Sequence, residues 1–195
     1  MTNEPRPPAS EPLFTRPTLF LSIALTIVFL AILHFSGRPA WCKYGLGFWA
    51  PIWSHCTSQH LFDLYTLSHV LHGVIFFWLL HPFAARITLP WRMYIAIAVE
   101  IGWELLENSQ WVIERYRQDT AAFDYTGDSV LNSFGDVLST GIGFLVASRY
   151  SWKVSVALFI VFELFALVWA RDNLTLNVIM LLFPSEAIKE WQMPG

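Results

Sequence analysis

The sequence predicts an all-α fold, a polytopic transmembrane helical bundle of about five spans with a short interfacial or re-entrant segment near its carboxyl end. Of the 195 residues, 55% are hydrophobic and only 14% are charged, which lies outside the usual balance of a soluble domain. The mean hydropathy is positive, at +0.46. Apolar runs close to the length that crosses about 30 Å of hydrocarbon alternate with polar segments. Together these observations indicate that lipid surrounds most of the chain.

The charges exclude one class of partner. The net charge is -3, and the 12 basic residues are scattered singly along the chain. Nothing resembles the basic stripe that nucleic acid binding requires. Ten Trp and sixteen Phe residues, many beside apolar runs, suit the headgroup layer of a membrane. We therefore expect membrane lipids, and no nucleic acid, as partners.

The chain divides into a tail and one membrane domain. Residues 1–17 are polar and rich in Pro, which predicts a disordered cytoplasmic tail, and residues 18–195 form a single transmembrane helical domain. A cleaved signal peptide is the alternative for the first apolar run, but no small-residue cleavage site follows Phe35. The predicted spans cover residues 18–35, 64–80, 93–106, 130–147 and 154–170.

Two shorter segments are predicted to stay at the membrane surface or to enter it only partly. Residues 108–118 alternate apolar and charged side chains near helical spacing, which is typical of an interfacial helix. Residues 174–183 hold too few apolar positions to cross the bilayer. Glycines at 135, 141 and 143 in the fourth span predict close helix approach.

Orientation depends on the cysteines. Lys and Arg divide six to six between the two sides of a five-span model, so the positive-inside rule does not choose. Cys42 and Cys56 share the first loop, where a disulfide would form in the periplasm and not in the cytosol. We therefore predict that disulfide, a periplasmic first loop, a cytoplasmic amino terminus and a multi-pass protein of the bacterial cell inner membrane. Two unrelated thiols are the alternative.

Ionisable residues gather at one end of three neighbouring spans. Because neighbouring spans run antiparallel, the start of the second, the end of the third and the start of the fourth lie at the same membrane face. Their spacings place each set on one helical stripe. The residues are His69 and His72, then Glu100, Glu104 and Glu107, then Asp128, Asn132 and Asp136. The sequence therefore predicts one site, at the periplasmic face.

The chemistry of this cluster predicts a divalent metal ion. Carboxylates placed closely together repel one another unless they share protons or a cation, and mixed nitrogen and oxygen ligands suit Zn, Mn or Fe. The predicted metal ligands are His69, Glu104 and Asp136. The predicted catalytic or supporting residues are His72, Glu100, Glu107 and Asp128. The residues predicted to bind a substrate headgroup are Asn132, Arg171 and Asn173.

Four sequence blocks carry a resemblance. They are SHVLHG, EIGWELLENS, DYTGDSVLNSFGD and RDNLTLNVIMLLFP. With them the chain resembles an uncharacterised family of small alphaproteobacterial inner-membrane proteins, known as a domain of unknown function. The resemblance implies topology and localisation but no reaction. The order of His, Glu pair and Asp also resembles, more remotely, small multipass proteins of the VanZ-like kind.

Three functional classes remain open from the sequence. The first is a metal-dependent hydrolase or transferase acting on a lipid or lipid-linked substrate. The second is a non-catalytic assembly or scaffold protein, in which Glu104 and Asp136 form hydrogen bonds between helices. The third is a component of a cation-coupled or proton-coupled transporter, although a relay would need polar groups at both ends of the spans. The sequence does not indicate an oligomeric state.

Overall fold

The computed structural model describes residues 11–121 and 125–193 and is helical in these ranges. Residues 1–10 of the predicted tail lie outside them. A single turn of 3-10 helix at His81–Phe83 follows the second helix. The α-helices of the described residues are α1 Arg16–Phe35, α2 Thr66–Leu80, α3 Leu89–Glu107, α4 Gln110–Asp119, α5 Val130–Arg149, α6 Trp152–Ala170, α7 Leu174–Leu182 and α8 Glu186–Gln192.

The helix bounds follow the predicted segments to within four residues, and the earlier starts of α1 and α3 each have a local cause. Helix α1 begins two residues early, because Thr15 and Thr18 form a capping box. The side-chain oxygen of each threonine accepts the backbone N–H of the other. Helix α3 begins four residues before the predicted start, after Thr88, with Pro90 in its first turn, where a proline costs no helical hydrogen bond.

Among the described residues, four helices are long and apolar enough to cross a membrane, namely α1, α2 with its 3-10 extension, α5 and α6. Helix α3 is of similar length, at 19 residues, but Arg92, Glu100 and Glu104 make it less apolar. It packs against α1, α2 and α5, and these three side chains are buried. The predicted third span is therefore a charged helix enclosed by its neighbours.

Helices α2 and α5 form the closest contact of the bundle. A Cβ added at Gly73 would collide with the Thr140 carbonyl oxygen, and one at Gly143 would collide with the Val70 carbonyl oxygen. The predicted close approach at position 143 is confirmed. The hydroxyl of Thr140 also donates to the carbonyl of His69, at 2.9 Å. This contact holds the first half of α2 in a defined position beside α5.

The first loop covers the start of α5. Cys42 and Cys56 form the predicted disulfide, with their Cα atoms 5.5 Å apart. The side chain of Asn132 donates to the carbonyl of His60 at 2.9 Å, and Ser129 donates to the carbonyl of Gln59 at 3.0 Å. The disulfide therefore closes a loop that is anchored to the helix bearing Asp136.

The carboxyl-terminal segment folds back on itself. Arg171 ends α6 in a left-handed conformation, with φ of 54°, and α7 is only nine residues long, too short to cross a bilayer. Glu163 accepts the backbone N–H groups of Leu174 and Thr175, at 3.0 and 3.1 Å. A carboxylate at a helix N-terminus is favourable, which explains an acidic residue within the apolar helix α6.

Candidate functional site

The imidazole of His69 is the centre of a cluster formed by α2, α3 and α5. Its Nδ1 atom lies 2.5 Å from Glu100 Oε1 and 3.5 Å from Glu104 Oε1. Its Nε2 atom lies 3.8 Å from Asp136 Oδ1. The structure thus brings His69, Glu104 and Asp136 together, as the convergence of the helix ends predicts. Their role as metal ligands stays a prediction.

Glu100 holds two imidazoles at once. His72 Nδ1 lies 3.0 Å from Glu100 Oε2, so the two carboxylate oxygens of Glu100 face one histidine each. When both Nδ1–H groups donate to this carboxylate, both Nε2 atoms carry a free lone pair. Carboxylates commonly orient metal-binding histidines in this way. The arrangement indicates that Glu100 positions the imidazoles.

Several buried carboxylate oxygens of the cluster lack a hydrogen-bond partner among the described residues. They are both oxygens of Glu104, Oδ1 of Asp136 and Oε2 of Glu107. Glu104 is fully buried and Asp136 is 3% exposed. An unpaired buried carboxylate is costly, and native structures rarely keep one without a proton, a water or a cation. These oxygens are therefore available to bind a cation.

The charge of the cluster favours a cation over further hydrogen bonds. Within the described ranges, the ion pairs that Glu100, Glu104 and Asp136 form are with histidines alone. Ligand atoms of His69, Glu104 and Glu107 lie within 4.8 Å of one another, as do those of His69, His72 and Glu100. The donor set of imidazole and carboxylate suits Zn, Mn or Fe.

Asp128 is engaged in a network of its own. Its carboxylate accepts the Tyr125 hydroxyl and the Asn108 amide, each at 3.1 Å. Its backbone N–H donates to Asn108 Oδ1 at 2.8 Å. Burial raises the pKa of Asp128 to about 6, and the nearby charge of Asp63 adds to this rise. The network ties the end of α3 to the start of α5 and so stabilises the cluster from outside.

The three residues predicted to bind a headgroup have partners within the protein. Asn132 donates to the first loop, and Arg171 donates to the carbonyls of Trp191 and Met193. Asn173 caps α7 through Leu176 N and donates to the Glu163 carbonyl. These contacts give each side chain a structural role, and their role in binding remains an untested prediction.

The sequence prediction missed two residues, Asn108 and Asp63, that hold the surroundings of the cluster in place. Asn108 bridges the cluster to Asp128, and Asp63 is 1% exposed, accepting from Ser58 N at 2.7 Å and Tyr65 N at 2.8 Å. Burial raises the pKa of Asp63. The hydroxyl of Thr66 accepts in return from Asp63 N. This spacing of three residues is the pattern of a capping box, a signal that could have identified Asp63.

Comparison with known proteins assigns the family. A family model described as a protein of unknown function, DUF2585, matches residues 33–194. A UPF0314 protein of Brucella anthropi is 46% identical over 187 residues, covering 94% of this chain and 95% of the relative. One of Sphingopyxis alaskensis is 47% identical over 183 residues, covering 93% and 97%.

Neither the family model nor these relatives support the remote likeness to VanZ-like proteins. No solved structure matches the chain. The match to the family model covers most of the sequence and includes all of the cluster. The chain therefore belongs to the DUF2585 family of proteins of unknown function.

Proposed function

We propose that this chain is a multi-pass protein of the bacterial inner membrane that binds a divalent metal ion and catalyses hydrolysis or group transfer on a lipid or lipid-linked substrate. One observation carries the proposal. The unpartnered, buried oxygens of Glu104 and Asp136 lie beside His69, an imidazole held by Glu100. An assembly of this kind is stabilised when a cation binds and destabilised when it is empty and ionised.

The residues of the cluster have different roles in this proposal. His69, Glu104 and Asp136 would hold the ion, and Glu100 would keep the imidazoles of His69 and His72 in place. A bound divalent ion would polarise the substrate and activate a water molecule. Glu107 is half-buried and has an unpartnered oxygen, so it can accept the proton that such a water molecule loses.

A cavity beside the cluster supports a lipid as the substrate class. It has a volume of about 340 Å³ and lies between the end of α1 and the junction of α3 and α4. The lining is mixed: Ile32, Leu33 and Leu105 suit an acyl chain, and Arg38 suits an anionic headgroup. Asn108 lines the cavity and also contacts Asp128, which joins it to the cluster. The lining residues are Ile32, Leu33, Ser36, Arg38, Leu105, Asn108, Ser109 and Gln110.

Metal analysis tests the proposal. We expect about one Zn, Mn or Fe ion per chain in protein purified in detergent without chelator. His69→Gln and Glu104→Gln should each lower metal affinity by about 10-fold to 100-fold or more, since even losses around a metal site have effects of that size. Glu114→Gln is the matched control, because Glu114 is exposed on α4 and contacts Gln110.

The outcome also separates the other two functional classes. A protein that binds none of these metals in either its native or its reconstituted form would contradict the metal site. Ion flux in liposomes that disappears in Glu104→Gln would then favour transport. Retained folding without metal or flux would favour a scaffold.

The proposed orientation has its own test. A reporter fused after residue 88 should behave as cytoplasmic, and one placed at residue 121 should behave as periplasmic. The first loop would then lie in the periplasm, where its disulfide forms. The opposite result would invert the topology and place the cluster at the cytoplasmic face, without changing its geometry.

A further inference from the structure

Arg92 is a buried cation at the end of the bundle opposite the cluster. It lies in the first turn of α3 and is 5% exposed. Its Nε and Nη1 atoms are buried and have no hydrogen-bond partner among the described residues. The guanidinium carbon lies 5.7 Å from the centroid of the Phe77 ring. A ring face offers some stabilisation but does not satisfy in-plane N–H donors.

Two more buried nitrogen atoms without partners lie around the same ring. They are Nε1 of Trp78 and Nδ1 of His81. The ring of Phe77 lies 5.1 Å from that of Trp78 and 5.6 Å from that of His81. The guanidinium and the indole can only donate, and the imidazole nitrogen can donate in one tautomer. The side chains of Arg92, Trp78 and His81 therefore lack a hydrogen-bond acceptor, and an anionic acceptor would form the strongest hydrogen bonds with them.

Among the described residues, the acid that interacts with Arg92 is Glu11, and it does not accept a hydrogen bond from Nε or Nη1. Glu11 interacts electrostatically with Arg92. Its Oε1 atom, however, accepts the backbone N–H of Leu89 at 2.9 Å, at the N-terminus of α3. Nε and Nη1 of Arg92 remain without a partner while Glu11 holds that position. The described residues therefore leave these donors without an acceptor.

We propose that this end of the bundle binds the phosphate of an anionic phospholipid through Arg92, with Trp78 and His81 as further donors. Guanidinium groups pair with phosphate through two parallel hydrogen bonds. Trp91 and Trp152 are exposed at the same end, by 44% and 49%, and such rings mark the headgroup layer. The inference does not depend on the metal site.

Lipid retention tests the inference on the full-length chain in detergent. We expect native mass spectrometry to show wild-type protein retaining about one phosphatidylglycerol molecule, with at least tenfold preference over phosphatidylcholine, because hydrogen bonds to charged groups are the strong ones. Arg92→Met should lose that preference. Arg92→Lys, which keeps the charge but not the paired geometry, should retain part of it. Arg149→Met changes an exposed arginine at the same end and should match wild type.

Each alternative has a distinct result. Equal retention by wild type and Arg92→Met, both eluting as a single species on gel filtration, would overturn the site. Displacement of the lipid by millimolar inorganic phosphate would overturn the lipid as its ligand. Glu11→Gln and Arg92→Met could lower thermal stability equally, with phosphatidylglycerol changing the stability of neither variant. In that case Glu11 is the counterion of Arg92 and the inference is wrong.

Discussion

The two ends of the helix bundle bury opposite kinds of unsatisfied group. Among the described residues, Glu104 and Asp136 carry acceptors without donors at one end, and Arg92 and Trp78 carry donors without acceptors at the other. Arg92 and Glu104 stand on the same helix, roughly 18 Å apart at about 1.5 Å per residue. That separation prevents them from neutralising each other. The bundle keeps its buried charges apart, and each end can therefore bind a ligand of the opposite sign.

The ends also differ in how they are packed. Near the cluster, Gly73 and Gly143 let the backbones of α2 and α5 touch. Toward the other end, the rings of Phe77 and Phe144 fill the space at a centroid distance of 5.3 Å. Backbone contact tolerates no added atom, whereas packed rings can adjust. Mutations at the two ends should therefore differ in severity.

The largest effect is expected at Gly73. Gly73→Ala should destabilise the protein by about 3 kcal/mol or more, because the Thr140 carbonyl it would meet cannot move without separating two helices. The control is Gly102→Ala, where nothing lies within 4 Å of the added carbon and helix propensity should give a gain of about 1 kcal/mol. Thermal unfolding in detergent measures both. Similar unfolding midpoints for the two variants would contradict the close contact between α2 and α5 at Gly73.

The disulfide should rank next. Cys42→Ser with Cys56→Ser should lower stability by about 3 kcal/mol, as expected for opening a loop of this length in the chain-entropy model. The loss should fall on the cluster end, because this loop is anchored to Ser129 and Asn132. Hydrogen exchange of α5 compared with that of the α2 to α3 turn measures the asymmetry. Free thiols in protein alkylated in its native membrane would contradict the bond itself.

Removing one carboxylate should change stability with opposite sign in two conditions. With chelator present, Glu104→Gln should stabilise the protein by about 1 to 3 kcal/mol, because it removes a buried negative charge that has no hydrogen-bond partner among the described residues. With metal present, the same substitution should destabilise it, because a ligand is lost. Glu114→Gln should do neither. A shift in the same direction under both conditions would favour hydrogen bonding between helices over a metal site.

A smaller effect is expected at Asp172, which lies outside the spans at the cluster end. Burial raises its pKa to about 6 from 3.8, and its carboxylate accepts from Tyr65 and Gln192. The folded chain thus holds this proton more tightly than the unfolded chain. The contribution of Asp172 to the free energy of unfolding is fully present below about pH 4 and is lost as the pH rises through about 6.

Asp172→Asn should flatten the change in thermal midpoint between these pH values. A pH profile of Asp172→Asn identical to that of wild type would assign the dependence to other acids of this end.

The sequence predicted the helices and the face that carries the acids, because hydrophobic periodicity and antiparallel order are local properties. It also predicted the Cys42 to Cys56 pair, since these cysteines share one loop and have no other partner. It did not predict that Glu100 serves both imidazoles, or that Asn108 holds Asp128. Helical spacing gives the side of a helix on which a residue lies, but not which neighbour its side chain reaches.

Arg92 shows the same limit from the other side. By sequence it is a basic residue near the start of a span, and such residues commonly extend to the headgroup layer. Only the packing of α3 among α1, α2 and α5 encloses it beside Phe77, where its Nε and Nη1 atoms have no hydrogen-bond partner among the described residues. The order of the residues along the chain is enough to tell which of them occupy each end of the bundle. The tertiary structure decided which of them are left without partners, because burial depends on neighbours that lie far apart along the chain.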